Sequence, residues 1–303
     1  MPERARHWRP PFVLDAAVVL APQQRGKGDP AMLRDAAGIT WLAANTPDGP
    51  GTLALLGRAS GEFEATTWGP GARFLLDGLP ALLGAADDDT GFAAHHDVVA
   101  RARRELPGLR IGSTGRVWDA LVPAVLEQKV TSIEARRSWR ELCLRFGEPA
   151  PGPAPAGLRV PPTPLAIRSI VDWNWHKAGV DLTRRTTLIA AARVAHRLGC
   201  AAELGGAQGR ALLRKVRGIG VWTAAEIAQR AWGDPDAVSI GDFHIPAIVG
   251  HALTGRALDD AGMLAELAPY APQRQRVVRY LEAAGFSRPR FGPRYPVRDY
   301  RAM

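Results

Sequence analysis

The residues best suited to chemistry lie in a glycine turn between two helical stretches. The turn is Gly218-Ile219-Gly220, and it is so tight that only glycines readily supply its backbone angles. The next helix begins with free N–H groups that point outward, so the turn can hold a phosphate group. A plain connection between two helices explains a lone Gly-x-Gly as well as phosphate binding does. Three basic residues precede the turn: Arg214, Lys215 and Arg217.

A single aspartate, Asp242, follows the turn at the predicted start of another helix. It lies 22 residues after Gly220. An aspartate in such a place commonly caps its helix, because the carboxylate accepts hydrogen bonds from the first backbone N–H groups. Capping also keeps the carboxylate ionised, so a structural role and a catalytic role are compatible.

Basic residues are concentrated in the second part of the chain. The formal charge is +9; residues 11–97 hold 11 acidic against 5 basic side chains, whereas residues 98–303 hold 31 basic against 18 acidic. This distribution favours nucleic acid as a partner, with an anionic membrane surface or an acidic partner as alternatives. The last 36 residues form either an exposed arginine face or a surface that faces phosphates, through Arg274, Arg276, Arg279, Arg288, Arg290, Arg294, Arg298 and Arg301.

Composition excludes several classes of protein. With 46% hydrophobic and 23% charged residues among 303, the sequence is typical of a soluble globular protein. Cys143 and Cys200 are too few for a disulfide framework, a four-thiolate zinc site or a cubane cluster, and we expect two buried thiols. The histidines, among them His95, His96 and His244, show no metal-ligand spacing, so we expect no catalytic metal.

The sequence contains no signal for membrane insertion. No apolar run reaches the roughly 18 residues of a membrane span. The N-terminus also lacks the apolar stretch of a signal peptide. We therefore expect a cytoplasmic, nucleoid-associated protein.

Apolar patterning divides the chain in two. The first part has β-prone runs separated by turn signals, and then a predicted helix; the runs cover 12–20, 39–44, 52–57 and 62–68, and the helix covers 72–83. From about residue 92 the apolar residues repeat with helical spacing. The pattern predicts a mainly α protein, with an N-terminal α+β domain over 1–90 and a helical domain over 91–303.

Two local signals refine the helical part. Thr131 and Glu134 have the spacing of a capping box, so a helix should start just after Val130. Residues 148–164 include seven prolines, so this stretch cannot be a helix and is predicted to be a surface loop.

Three blocks of sequence, in this order along the chain, resemble one known family. They are residues 125–131 with 145–147, the turn at 218–224, and the stretch from Asp234 to Asp242 with 268–270 and an arginine-containing helix after it. The sequence resembles the helix-hairpin-helix (HhH-GPD) DNA glycosylase superfamily, and within it the 3-methyladenine DNA glycosylase II branch. The resemblance implies an antiparallel sheet with helices, placed ahead of an all-helical glycosylase core.

The resemblance also implies which residues hold DNA and which residue acts on the glycosidic bond. Gly218, Ile219 and Gly220, with the backbone amides of Val221, Trp222 and Thr223, would hold the DNA backbone. Arg214, Lys215 and Arg217 would add phosphate contacts. A monovalent cation can accompany such a turn, and no other cofactor is implied. Asp242 matches the family's catalytic aspartate, which stabilises the charge that develops on the sugar or orients water.

The base pocket is where this sequence departs from its relatives. Trp222 stands where glycosylase/lyase members carry a nucleophilic lysine, so the resemblance implies hydrolysis without strand cleavage. Trp222 and Tyr280 are the candidates for an aromatic wall that attracts a cationic alkylated base, and for Trp222 a core position is an alternative. Glu226 stands in place of a tyrosine; it hydrogen-bonds a purine edge, attracts a cationic base, or pairs with Arg230.

Gln128 and Lys129 correspond to the loop that fills the gap left by a flipped base. The family often has an apolar wedge at the position of Lys129. A lysine fills a gap poorly but can bond the orphaned base or a phosphate, and a solvated lysine before a helix cap is the alternative.

Together the sequence predicts a monofunctional glycosylase that flips alkylated purines of the 3-methyladenine type out of double-stranded DNA and excises them in base excision repair. No membrane contact and no obligate protein partner are implied. One alternative is a non-catalytic helix-hairpin-helix protein that binds distorted DNA. Another is a glycosylase for oxidised, deaminated or mismatched bases.

Overall fold

Alternating apolar residues in the first part of the chain form one antiparallel sheet. The structure, a computed structural model, describes residues 4–287 together with 299 and 301. The sheet order is β1-β5-β4-β3-β2, and all neighbouring strands run antiparallel. The strands are β1 (Arg4–Trp8), β2 (Met32–Arg34), β3 (Thr40–Thr46), β4 (Gly49–Gly57) and β5 (Phe63–Trp68).

Each face of the sheet buries its own set of side chains, because successive residues of a strand point to opposite faces. On one face Leu42, Leu53 and Leu55 pack with Leu75 and Leu79, which lie on two short helices. These helices are α2 (Ala72–Asp77) and α3 (Leu79–Leu82). The predicted single helix over 72–83 is thus two helices that meet at Gly78, directly before the proline-containing first turn of α3.

The sequence prediction for residues 12–20 is wrong. The structure has a helix there, α1 (Ala16–Leu20), whose first N–H groups are capped by the Asp15 carboxylate. Its apolar residues form too short a run for periodicity to separate strand from helix. Strands β1 and β2 were not predicted; β1 is an edge strand rich in arginine, and β2 spans only three residues.

The second part of the chain is helical, as predicted. Its helices are α4 (Asp97–Glu105), α5 (Val117–Leu126), α6 (Ser132–Phe146), α7 (Pro164–Ser169), α8 (Asp172–Lys177), α9 (Leu182–Arg193), α10 (Ala195–Gly199), α11 (Ala201–Leu204), α12 (Gly206–Leu213), α13 (Val221–Ala231), α14 (Ile245–Thr254), α15 (Asp260–Leu267) and α16 (Arg274–Ala283). The predicted capping box at the start of α6 is confirmed: Thr131 and Glu134 bond each other's backbone N–H groups. Cys143 is buried as expected, whereas Cys200 is exposed.

The proline-rich stretch is more ordered than the predicted surface loop. Residues 148–164 contain a small antiparallel ribbon, β6 (Glu148–Pro149) with β7 (Arg159–Val160), and α7 begins at their last residue. Leu158 and Val160 are buried against Trp41 and Ala43 on the second face of the sheet. The stretch therefore covers the sheet and joins it to the helical part.

Two buried cores organise the helices. The larger core is built around α5, α6, α9 and α13, and includes Leu121, Trp139, Leu188 and Ile227. The second core joins α4 to α14, α15 and α16, and includes Val99, Val249, Met263 and Val277. Between these two groups of helices lies the segment that carries Asp242.

The described C-terminal arginines make ion pairs and are half-buried or buried, so they do not form the predicted exposed face. A role in facing phosphates stays a prediction for the half-buried ones. Arg274 pairs with Asp236, Arg279 with Glu282, and Arg301 with Asp299. Arg276 is fully buried and pairs with Asp87 at 2.6 Å. Arg288, Arg290, Arg294 and Arg298 lie outside the described residues.

Contacts cross the predicted boundary near residue 90. Arg276 of α16 reaches Asp87, and Arg25 reaches Glu127 at the end of α5. We retain the division into domains 1–90 and 91–303 as a proposal. In the described part of the chain, no helix is long and apolar enough to cross a membrane. Within residues 4–287, 299 and 301, no three His, Cys, Asp or Glu side chains form a group that could hold a metal ion.

Removal of one partner of the buried Asp87–Arg276 pair should destabilise the protein. Asp87→Ala leaves the Arg276 guanidinium buried without its carboxylate, which costs about 3–5 kcal/mol in free energy of unfolding. The matched control is Asp77→Ala, which removes an equivalent partner from the exposed pair Arg73–Asp77 and should leave the urea midpoint unchanged. Equal midpoints for the two variants would contradict this assignment.

Candidate functional site

The turn between α12 and α13 depends on Gly218 for its shape. Gly218 has φ +92°, and a Cβ atom there would overlap the Thr187 hydroxyl of α9. Ile219 is buried beneath the turn. Gly220 is extended, and a Cβ atom there would meet nothing within 4 Å. One glycine therefore packs the turn onto the core, while the other leaves the outer surface open to a close neighbour.

Among the residues that the structure describes, the first amides of helix α13 have no hydrogen-bond partner. The first hydrogen bond within the helix runs from the N–H of Ala224 to the carbonyl of Gly220, so the N–H groups of Val221, Trp222 and Thr223 precede it. The residues predicted to add positive charge, Arg214, Lys215 and Arg217, are all exposed. An anion at this turn would meet backbone donors, the positive end of the helix dipole and nearby cations.

Gln128, from the loop between α5 and α6, hydrogen-bonds the turn. Its side-chain amide donates to the Gly218 carbonyl at 2.9 Å and to the Thr223 hydroxyl at 2.8 Å. The Val216 carbonyl likewise accepts from the N–H of Ile219. A monovalent cation would have to share these carbonyl oxygens with the donors already present.

Lys129 occupies the exposed tip of the loop between α5 and α6. It has φ +54°, and it is the one non-glycine residue with a positive φ in the described part of the chain. A lysine in this region is conformationally unfavourable, so the bonds of Gln128 on one side and the capping box on the other must hold it there. The wedge role of Lys129 stays a prediction.

Asp242 is held from two directions. One carboxylate oxygen accepts from the N–H groups of His244 at 2.7 Å and Ile245 at 3.0 Å, which are the N-cap and the first residue of α14. The other oxygen accepts from the indole N–H of Trp222 at 2.9 Å. The side chain is half-buried. The carboxylate is thus fixed in orientation and still accessible.

The Trp222–Asp242 hydrogen bond joins the turn to the aspartate. It is a contact between residues that sequence analysis singled out separately, and no local pattern could have revealed it. Trp222 is half-buried, so its ring both packs and remains open to contact. The two predicted roles of this side chain, core aromatic and stacking surface, are compatible in this position.

Glu226 pairs with Arg230 at 2.7 Å, one turn along α13. Its second oxygen accepts from the Ser239 hydroxyl, and Gln229 donates to Ser239 and to the Ala237 carbonyl. Of the three interpretations given to Glu226, the structure shows the ion pair. These bonds tie α13 to residues 237–239, directly ahead of Asp242.

A segment from the first part of the chain completes this network. Arg230 donates to the Pro22 carbonyl at 3.0 Å, and Arg25 lies 3.4 Å from Glu127. Burial, assisted by the neighbouring Arg230, lowers the pKa of Arg25 to about 10. Sequence analysis missed Arg25, because nothing around it marks a residue that reaches the helical part.

Tyr280 cannot form a wall of the base pocket. Its side chain is 3% exposed and packs in the second core, with its ring centroid 5.9 Å from that of Phe92. Burial also raises the pKa of its hydroxyl. The reason is the helical period of α16, which places Tyr280 on the same buried face as Val277 and Leu281.

Solved structures share this architecture over almost the whole chain. The 3-methyladenine DNA glycosylase of Archaeoglobus fulgidus has a TM-score of 0.76 and 14% identity, covering 93% of this chain and 99% of its own. MBOgg1, in complex with a low affinity DNA ligand, has a TM-score of 0.73 and 15% identity, covering 94% and 98%. The apo 8-oxoguanine glycosylase/lyase of Clostridium acetobutylicum has a TM-score of 0.72 and 10% identity, covering 93% and 97%.

The chain therefore has the fold of the helix-hairpin-helix DNA glycosylases, with a sheet ahead of a helical core. The sequence matches no protein-family model and no curated protein. Both 3-methyladenine and 8-oxoguanine enzymes are among the structures that it resembles. The fold is shared across different base specificities.

The two glycines of the turn should respond differently to substitution. Gly218→Ala places a Cβ atom against Thr187 in a backbone region that alanine disfavours, so the free energy of unfolding should fall by about 1 kcal/mol or more. Gly220→Ala meets no neighbour and should not lower stability. Urea unfolding of both variants measures the difference, and equal stabilities would show that Gly218 is not needed for the turn.

Proposed function

We propose that the protein is a monofunctional DNA glycosylase of base excision repair, which flips alkylated purines of the 3-methyladenine type out of DNA and hydrolyses their N-glycosidic bond. The observation that carries this proposal is the position of Asp242. Its carboxylate is fixed by the first amides of α14 and by Trp222, and Trp222 belongs to the first turn of the helix directly after the open glycine turn. A DNA backbone held at the turn would bring a sugar close to that carboxylate.

The open side of the turn supplies the grip on DNA. Its amides at Val221, Trp222 and Thr223 donate to phosphodiester oxygens, and Gly220 allows the backbone to approach closely. A base inside a duplex is out of reach of any carboxylate, so the nucleotide must leave the stack at a cost of a few kcal/mol. Lys129, exposed beside the turn, is the candidate to occupy the space that the base leaves.

Asp242 acts on the sugar once the base is extruded. The C1′–N bond breaks with its electron pair leaving on the purine, and an alkylated purine departs as a neutral base because it starts as a cation. The oxocarbenium character that develops at C1′ is stabilised by the carboxylate. Water then adds its oxygen to C1′ and releases a proton, which leaves an abasic site.

The side chain at position 222 bears on whether the strand is cleaved at the abasic site. Trp222 carries no amine that could form a Schiff base with the sugar, and Lys215 lies ahead of the turn on its exposed side. The strand should therefore stay intact after the base is released. The absence of an amine at position 222 supports a hydrolase without lyase activity.

The pocket side of the site is more polar than an aromatic cage. With Tyr280 in the core, Trp222 is the remaining aromatic candidate to attract a cationic base. Glu226, one turn after Trp222 on α13, forms one hydrogen-bonded group with Ser239 and Gln229. This polarity favours a second candidate, a glycosylase for oxidised or deaminated bases, in which hydrogen bonds rather than cation–π attraction select the base.

Replacing the aspartate tests the proposed function. Asp242→Asn keeps an oxygen to cap α14 but removes the charge, so release of alkylated bases should fall at least 100-fold, by roughly 3 kcal/mol or more of transition-state stabilisation, while DNA binding persists. Base release from methylated duplex DNA is scored for abasic sites and for strand breaks. The matched control is Asp15→Asn, the same change at the cap of α1, which should release bases at the wild-type rate.

The same assay separates the alternatives. Release of oxidised or deaminated bases, but not alkylated ones, from a panel of lesions would replace the first candidate with the second. DNA binding without release of any base would leave a non-catalytic binder. Strand breaks that accompany base release would contradict a monofunctional enzyme.

The Trp222 hydrogen bond should contribute to catalysis through the orientation of Asp242. Trp222→Phe keeps an aromatic ring but removes the donor, and loss of a hydrogen bond to a charged group is worth about 1.5–3 kcal/mol. Single-turnover base release should slow roughly 10- to 150-fold, with little change in DNA affinity. Trp232→Phe is the control, because the indole of Trp232 donates to Asp234 rather than Asp242; equal rates for the two variants would exclude this role.

A further inference from the structure

A glycine–lysine–glycine loop from the first part of the chain lies against helix α6. Both ends of the loop are held by Asp29, which is buried: its carboxylate accepts from the N–H groups of Arg25 at 2.6 Å and Ala31 at 3.0 Å. Asp29 also accepts from the indole of Trp139 on α6 at 2.8 Å. The loop is therefore anchored to the helical core, and Lys27 is exposed at its tip.

The two glycines let arginines of α6 lie alongside the loop. A Cβ atom at Gly26 would come within 3.0 Å of the Arg136 side chain, and one at Gly28 within 3.4 Å of the Arg140 side chain. Gly26 also has φ +83°, which favours glycine. Lys27 is thus gathered with two arginines that stand one helical turn apart. We call Lys27, Arg136 and Arg140 the loop–α6 patch.

The patch carries uncompensated positive charge. Within residues 4–287, 299 and 301, none of its three members forms an ion pair with a carboxylate. The neighbouring acidic groups are already engaged, since Glu127 faces Arg25 and Glu134 belongs to the capping box of α6. Lys27 and Arg136 are exposed and Arg140 is half-buried. A group of accessible cations without counter-charges attracts polyanions.

The patch continues the surface that holds the proposed DNA-binding turn. Arg25, next to the loop, contacts Glu127; the next residue, Gln128, bonds the turn at Gly218; and Lys129 is exposed beside it. The loop that carries Lys129 therefore contacts the turn through Gln128 and the segment that carries the patch through Glu127. The turn and the patch both present donors suited to phosphate, one through amides and the other through side chains.

We propose that the loop–α6 patch is a second DNA grip, which binds backbone phosphates on the far side of Lys129 from the glycine turn. This inference rests on the proposed function, in that DNA is the partner. Two grips that flank Lys129 would hold the backbone on either side of the nucleotide that leaves the stack. The sheet-containing part of the chain then takes part in DNA binding and does not merely support the helical core.

Neutralising the patch tests this second grip. The variant Lys27→Gln/Arg136→Gln/Arg140→Gln keeps polar side chains and removes three charges. Its affinity for undamaged duplex DNA is measured by fluorescence anisotropy over a range of KCl concentrations. Each lost phosphate contact reduces the slope of log affinity against log salt by about 0.9, so the slope should fall by about 2–3 and low-salt affinity by at least 10-fold.

The control removes the same charge elsewhere. Arg101, Arg104 and Arg168 are exposed on α4 and α7. Their replacement by Gln should change the slope of log affinity against log salt by less than about 0.9, the value of one phosphate contact. Lys27→Gln alone, at an exposed tip where folding is not at risk, should lower the slope by about 1. Circular dichroism confirms that each variant is folded.

The outcomes separate this inference from the proposed function. A patch variant with the salt slope of the control variant, in a protein that binds DNA, overturns the second grip and leaves the proposed function standing. A wild-type protein that binds no DNA overturns both. A patch variant that loses binding to vesicles of anionic lipid while DNA binding is unchanged would assign the patch to a membrane surface and would also overturn the proposal.

Discussion

The close packing of α13 against α5 is the constraint on which the site depends. In the core that the two helices share, α13 buries Ala224 and Ala231, and α5 presents Ala120 and Ala124. Small side chains let two helices approach closely, and the buried Ile227 then fills the space beside them. Because α13 cannot shift without opening this contact, everything attached to it is held in place.

Three parts of the site are attached to this one helix. Its first turn supplies the amides beside the glycine turn, Trp222 reaches Asp242, and Glu226 with Arg230 reaches both Ser239 and the Pro22 carbonyl. The aspartate is not fixed by its own helix alone. It is positioned between the start of α14 and α13, which follows the glycine turn, so the turn and the aspartate are held by one rigid element.

Buried charges connect the sheet to the helical core. Arg25, Glu127, Glu226 and Arg230 lie together, and the pKa of Arg25 falls to about 10 because burial and Arg230 disfavour its charge. Arg276 and Asp87 form a second buried pair across the same boundary. Burying such a pair costs desolvation free energy, and removing one partner leaves a buried charge unpaired. The pairs therefore define how the two parts are oriented rather than add much net stability.

Local features of this protein were determined by the sequence itself. The glycine turn, the capping box of α6, the cap at Asp242, strands β3 to β5 and the helical second part arise from backbone preferences and periodicities that act within a few residues. The strand prediction for residues 12–20 was wrong because a helix of five residues is too short for its apolar spacing to differ from that of a strand. Tertiary structure alone decided that Tyr280 is core, that Arg276 is paired, that Trp222 orients Asp242, and that Lys27 lies beside α6. Each of these depends on partners 20 to more than 180 residues away in the chain, and only the packing of the whole fold determines which distant residues meet.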